Sequence, residues 1–297
     1  MPDGVQWADG TGSLVSLRAV NRRNGLVQVL NGIDLDLPGG RVTALLGPPG
    51  AGKTMLCRAL DGSERIDSGS ITVAGVPLRR RHRRFARTYG DGRAGVAPVA
   101  EPGSLPAHRT VLQNVAAGPR TGSAARWRPG RTDAERRAPA LLERVGAADY
   151  AGYFPWELSE ELQQRVAIAR ALAGSPVLLL VDLPASDPAV DGRPPDRSPN
   201  VPVPAAARPT ADPATAPFPG TSAVGVLPAL PELLRGIAAD GLAVLVATDR
   251  PALARATADR VVFLEGGRVI EQGPTEDFFT TPRTARARAF LSAAAAI

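Results

Sequence analysis

The chain has 297 residues, enough for one large α/β domain or two small ones. Its hydrophobic content of 44% supports a packed core, and an aromatic content of 4% means that this core rests on Leu, Val and Ala. A net charge of +6 would suit a polyanion or an anionic membrane surface, but the arginine is spread over the whole chain beside abundant Ala, Gly and Pro, as a GC-rich coding bias produces.

Residues 1–12 read as a tail with no basic-then-apolar leader pattern. Ser13–Leu17, Val27–Leu30 and Ile33–Leu37 alternate as β-strands, and a Pro38-Gly39-Gly40 turn leads into the apolar strand Arg41–Leu46. Thr54–Leu60 reads as a helix and carries Cys57, whose solitude excludes an internal disulfide and suits a reducing compartment. Ile71–Val76 is a further strand, and 79–84 is a basic run that reads as a solvated face. The stretch from about 96 to 172 is expected to be a mostly helical subdomain, with helices over Ala134–Val145 and Glu160–Leu172, the latter with Leu162, Val166, Ala169 and Leu172 on one face.

Val177–Val181 is a buried strand, and at five residues it is far short of the ~20 needed to span a bilayer. Proline and alanine dominate 191–227, so that stretch is expected to be a disordered insertion that splits a core of 13–190 and 228–297. After it come a helix over 231–239, a strand over 242–247 and an antiparallel pair at 261–264 and 268–270.

Lys53 is the only lysine among 35 Lys and Arg residues. It stands in Gly47-Pro48-Pro49-Gly50-Ala51-Gly52-Lys53-Thr54, which fits the phosphate-binding pattern G-x-x-x-x-G-K-[ST] between a strand and a helix. The glycines let backbone N–H groups curl around a phosphate, and the following helix points its positive dipole end at it. A slim ammonium can lie along the β/γ-phosphates where a forked guanidinium would not fit, and the Thr54 hydroxyl is placed to ligate Mg²⁺. These residues predict nucleoside triphosphate binding, with Mg²⁺.

A second motif lies downstream. Leu158-Ser159-Glu160-Glu161-Leu162, followed by Gln163 to Leu172, is similar to the signature and helix of ABC-type ATPases, and strand Val177–Asp182 stands where their Walker B strand stands. The resemblance covers about 13–186 and 228–293. Ala258 to Phe279 and Pro282 to Leu291 look like importer ATPases, especially those for polar amino acids, whereas Glu101-Pro102-Gly103-Ser104-Leu105-Pro106 is similar to the nitrate/sulfonate branch.

The resemblance implies a P-loop α/β nucleotide-binding domain with an antiparallel β layer, a parallel core sheet and a helical subdomain. It also implies ATP and Mg²⁺ as ligands, with Asp182 holding the metal beside Thr54. A dimer with itself or another such ATPase follows, as do transmembrane permease partners and a place on the cytoplasmic face of a membrane. Nucleic acid is not an expected partner, because charge alone speaks for it.

Several positions depart from the family. Leu183 replaces the glutamate that polarises the attacking water, and Thr248 stands for the switch histidine. The Q-loop glutamine falls at Ala100 or Glu101, the adenine-stacking aromatic at Asn24, and the signature glycines at Glu160 and Glu161. In family dimers that signature faces the γ-phosphate held by the other subunit. A carboxylate about 5 Å from it costs roughly 3 kcal/mol at an effective dielectric near 20; as plain helix-opening residues the same acids simply suit the dipole. Paired with a competent partner, one composite site would lack base and histidine and the other would face two glutamates, so neither would be complete. The expectation is therefore Mg-ATP binding with slow or no hydrolysis, set against an ordinary ATPase that powers solute uptake.

Overall fold

The computed structural model describes residues 13–78, 95–101, 103–118, 131–183 and 229–295. The basic run at 79–84 and the expected insertion at 191–227 lie outside the described residues.

Two sheets organise the chain. β1 (Ser13–Asn24) and β2 (Val27–Pro38) form a hairpin that continues through β4 (Ser68–Val73) and β5 (Val76–Pro77), all antiparallel, in the order β2-β1-β4-β5. The second sheet runs β10-β9-β3-β8-β7-β6, built from β3 (Val42–Leu46), β6 (Val96–Pro98), β7 (Leu178–Leu183), β8 (Ala243–Thr248), β9 (Arg260–Glu265) and β10 (Arg268–Pro274). β3 lies parallel to β8 and β9, and β7 lies parallel to β8 and β6; β10 closes one edge antiparallel to β9.

Strand alternation sorts the core. On one face Leu45, Leu178, Leu180, Leu245 and Ala247 pack with Leu56, Cys57 and Leu60 of α1 (Lys53–Leu60) and with Val15, Leu17, Leu35 and Ile71 of the antiparallel layer. α1 is thus held between the sheets, and burial pushes the Cys57 thiol far up, so it is inert as a nucleophile. On the other face Leu179, Val181, Val244 and Val246 meet α2 (Val111–Ala117), α3 (Arg131–Arg144), α4 (Glu160–Leu172) and α5 (Leu230–Ala239). Leu46, Val261 and Phe263 pack with residues of α6 (Pro251–Thr257), α7 (Thr275–Thr280) and α8 (Ala285–Ala295).

The expected antiparallel layer, parallel sheet and helices are all present, with shifted bounds. Val27–Leu30 and Ile33–Leu37 are one strand, because Gly32 takes φ 60° and β2 passes through it as an irregularity rather than a break. β1 runs on to Asn24 because Arg22 is tied to Glu64 at 2.5 Å and Asp67 at 3.1 Å. The helical subdomain starts later than 96, since Val96–Pro98 pairs with β7 as a strand of the core sheet.

One buried carboxylate fixes the C-terminal helix. Glu271 on β10 accepts the N–H of Arg283 and of Thr284, both at 2.8 Å, and the Thr284 hydroxyl at 2.7 Å. Thr284 in turn accepts the N–H of Ala287 at 3.2 Å. Burial would raise the Glu271 pKa, but these hydrogen bonds outweigh it and hold the group below the ordinary 4.5. Its stabilisation is therefore full above that value and is lost as pH falls through the lower folded value. Glu271→Gln should cost about 2 kcal/mol near neutral pH. Thermal melts should show that deficit shrinking below about pH 4; a deficit that persists in acid would contradict an ionised Glu271.

Candidate functional site

The glycine-rich loop joins β3 to α1. Gly52 takes φ 103° at the helix N-cap and Gly50 takes φ 77°, backbone that L side chains resist. Packing adds to this: a Cβ at Gly47 would stand 2.1 Å from the Leu264 carbonyl oxygen, and one at Gly52 2.8 Å from that of Val29. The loop is therefore pinned between β9 and β2. The Ala51 N–H closes it onto the Pro48 carbonyl at 3.2 Å.

Lys53 is only 8% exposed, and its Nζ donates to the carbonyls of Gly47 at 2.7 Å and Pro48 at 2.9 Å. The ammonium thus folds back over the loop it belongs to. Burial pulls its pKa below the ordinary value, opposed by the negative charges of Asp249 and Asp182. The next residue, Thr54, donates its hydroxyl to Asp182 Oδ2 at 2.9 Å. Burial raises the Asp182 pKa, against the pull of Thr54 and Lys53. Both charged groups lack part of their hydration, which is the state an incoming phosphate and its metal would relieve.

The sheet register brings the expected catalytic positions to the same edge. At the C-terminal ends of the parallel strands Leu46 and Leu183 both pair with Thr248, and Asp182 pairs with Ala247. Ligands of open α/β sheets bind at this edge. Leu183 packs against the cluster shared with the helices, and its side chain offers no proton acceptor. Thr248 is fully buried, and its hydroxyl accepts the Arg250 N–H at 3.2 Å. Ala100 is partly buried against the helical cluster, whereas Glu101 is exposed and its carbonyl accepts from Ser104. Asn24 is exposed at the tip of the β1–β2 hairpin, next to Leu26, itself 95% exposed.

Ser159 is the N-cap of α4, accepting the Leu162 N–H at 3.3 Å, and Glu160 and Glu161 occupy the first turn. Leu158 is buried, and Leu162 packs against the helical cluster. Glu161 does not stand free. It accepts from Arg165 at 2.8 Å, and Arg165, 1% exposed, also donates to the Val145 carbonyl at 3.1 Å. One of the two acids expected to repel a partner's phosphate is thereby turned back along its own helix. Gln163 ties the start of α4 to the 101–106 segment, donating to the Leu158 carbonyl at 3.1 Å and accepting the Gly103 N–H at 2.7 Å.

Sequence reasoning passed over Asp249. Alternation along β8 puts 249 on the face of Ala247, and the register of β8 against β7 makes that the face of Asp182, which carries α1. Its Oδ1 is buried and has no hydrogen-bond partner among the described residues. The closely approached glycines, the folded-back ammonium, the Thr54–Asp182 pair and this orphaned oxygen, whose carboxylate acts on both Lys53 and Asp182, fit a polyphosphate carrying a divalent cation.

Known proteins resemble this chain in sequence and fold. The family model for ABC transporter matches residues 30–186. The chain is similar to the glutamine transport ATP-binding protein GlnQ of Geobacillus stearothermophilus, 32% identical over 281 residues, covering 94% of this chain and 98% of the relative. It is also similar to the octopine permease ATP-binding protein P of Rhizobium meliloti, 33% identical over 286 residues, covering 93% and 94%. Among solved structures, an ATP-binding cassette of an ABC transporter in its ADP conformation matches with a TM-score of 0.67 at 17% identity, covering 94% of this chain and 99% of that one. At that identity the likeness speaks for the fold.

Proposed function

The chain belongs to the ABC transporter family, and from that premise we propose that it is the ATP-binding subunit of an importer-like transporter for a polar amino acid or related solute, binding Mg-ATP with slow or no hydrolysis. The observation that carries the slow turnover is the pairing of Leu183 with Thr248 at the C-terminal edge of the sheet. Leu183 can neither accept a proton nor orient water, and Thr248, whose hydroxyl oxygen accepts the Arg250 N–H, has no imidazole to take the part of the family's switch histidine. Gly47 to Thr54 would hold the phosphates, with Lys53 leaving the Gly47 and Pro48 carbonyls for them. Thr54 and Asp182 would hold Mg²⁺, whose chemistry is to neutralise charge on the β- and γ-phosphate oxygens.

The solute class is carried over from relatives named for glutamine, glutamate, octopine and arginine transport. The octopine relative is named as a permease ATP-binding protein, which supports transmembrane permease subunits as partners; a dimer of ATP-binding subunits is part of the same proposal. Among the described residues no helix is long and apolar enough to cross a membrane, so attachment would run through a permease.

One observation favours the alternative of an ordinary ATPase. With Glu161 bound to Arg165, only Glu160 is left to confront a partner's phosphate. Purified protein separates the two. ATP should bind, and phosphate release should fall at least ~10²-fold below the ~10 s⁻¹ typical of enzymes, alone or with a permease partner. Turnover near that typical value, lost in Lys53→Ala, would establish the ordinary ATPase.

A further inference from the structure

We infer that Asp249 is a positioning residue for the metal ion of this site, a second carboxylate that supports the Mg²⁺ held by Thr54 and Asp182. The inference rests on the proposed nucleotide binding and adds a residue to it. β8 ends at Thr248, whose neighbours in the sheet are Leu46 and Leu183, so Asp249 follows directly at the edge from which the phosphate loop departs, close enough to act on Lys53 and Asp182. Strand alternation places Asp249 with Asp182 on the face of the sheet that carries Lys53 and Thr54.

A buried carboxylate oxygen without a partner is costly and calls for an explanation. Asp249 Oδ1 is such an atom, whereas Asp182 Oδ2 accepts from Thr54 at 2.9 Å. Service to the following helix does not explain it. α6 has Arg250 at its N-cap, with no side-chain cap, and Pro251, which has no N–H, in its first turn. The charge balance points instead to a cation. Asp182 and Asp249 both act on Lys53, with Arg58 acting on Asp182 as well, and a triphosphate brings several more negative charges than these two cations can offset. Mg²⁺ is the hard, oxygen-seeking ion that makes such a site attractive rather than repulsive.

The sign of this argument gives its test. A fluorescent ATP analogue is titrated onto the full chain in EDTA and across a range of Mg²⁺ concentrations, with Asp249→Asn, Asp182→Asn and Lys53→Ala alongside the wild type. Asp249→Asn should raise the Mg²⁺ concentration for half-saturation by about tenfold, the usual size of an effect on metal affinity from a residue supporting a site. In EDTA the same variant should bind the analogue as well as the wild type or better, because a repelling charge is gone. Asp249→Ser gives the comparison with a second neutral side chain. An unchanged Mg²⁺ dependence in both neutral variants, with Lys53→Ala still losing affinity, overturns the role of Asp249 and leaves nucleotide binding standing. A parallel fall in EDTA affinity, Mg²⁺ affinity and melting temperature makes Asp249 structural and also overturns it. If Lys53→Ala binds as the wild type does, the nucleotide reading falls and takes this inference with it.

Discussion

A chain carrying Leu183→Glu, Thr248→His and Glu160→Gly together is expected to gain ATP turnover by at least ~10³-fold. A positioned general base supplies ~10²–10⁴-fold, and a donor aimed at developing charge ~10²–10³-fold. The three positions lie at the catalytic edge and at the start of α4, so each single change should recover little and the combination more than their sum, as for groups that act as a unit. Glu161 is deliberately kept. It partners Arg165, which is 1% exposed, and removing a partner from a buried charge costs roughly 1–3 kcal/mol in stability that would mask a gain in rate. Phosphate release by the purified variants is the measurement. A triple variant no faster than Leu183→Glu alone would mean that turnover is limited elsewhere than at these positions.

Lys53→Ala should weaken Mg-ATP binding by about 2–3 kcal/mol, roughly 30- to 150-fold, as for a charge-assisted contact. The wild-type ammonium must first give up its bonds to Gly47 and Pro48, so the measured loss is net of that rearrangement. Thr54→Ala should leave most of the Mg-free affinity and lose chiefly the dependence on Mg²⁺, because its hydroxyl faces Asp182. Equal titrations for wild type and Lys53→Ala would make the loop a structural turn without a ligand.

How far the sequence could be read depended on whether a signal was local. α4 was legible to its ends, because its cap Ser159 and the apolar positions Leu162, Val166, Ala169 and Leu172 obey a helical period within the element itself. β1 and β2 were read short. Arg22, Arg23 and Asn24 look like a loop until Glu64 and Asp67 come round to meet Arg22, and Gly32 looks like a terminator although the ladder accommodates it.

The same distinction runs through the site. The phosphate loop is a contiguous string and was legible at once. Glu161 was read by its charge alone, although Arg165 one turn on is a local i,i+4 partner; only the anchoring of Arg165 on the Val145 carbonyl, twenty residues upstream, lay beyond a local reading. Asp249 needed the register of β8 against β7, which pattern-matching to a motif passes over.

The contacts of the loop glycines bear on how such a chain can change over time. Gly47 and Gly52 have no room for a methyl group against Leu264 and Val29, so replacing either would disturb the meeting of strand, hairpin and helix whether or not nucleotide ever binds. Leu183, by contrast, adds apolar contact where it stands, so nothing in the packing resists the exchange of a catalytic acid for it. A side chain at 47 or 52 therefore strains the fold itself, whereas an apolar one at 183 does not. The packing alone accounts for keeping both glycines. Lys53 is the more telling survivor, since its hydrogen bonds to two loop carbonyls are a small reward for keeping the single lysine in an arginine-rich chain.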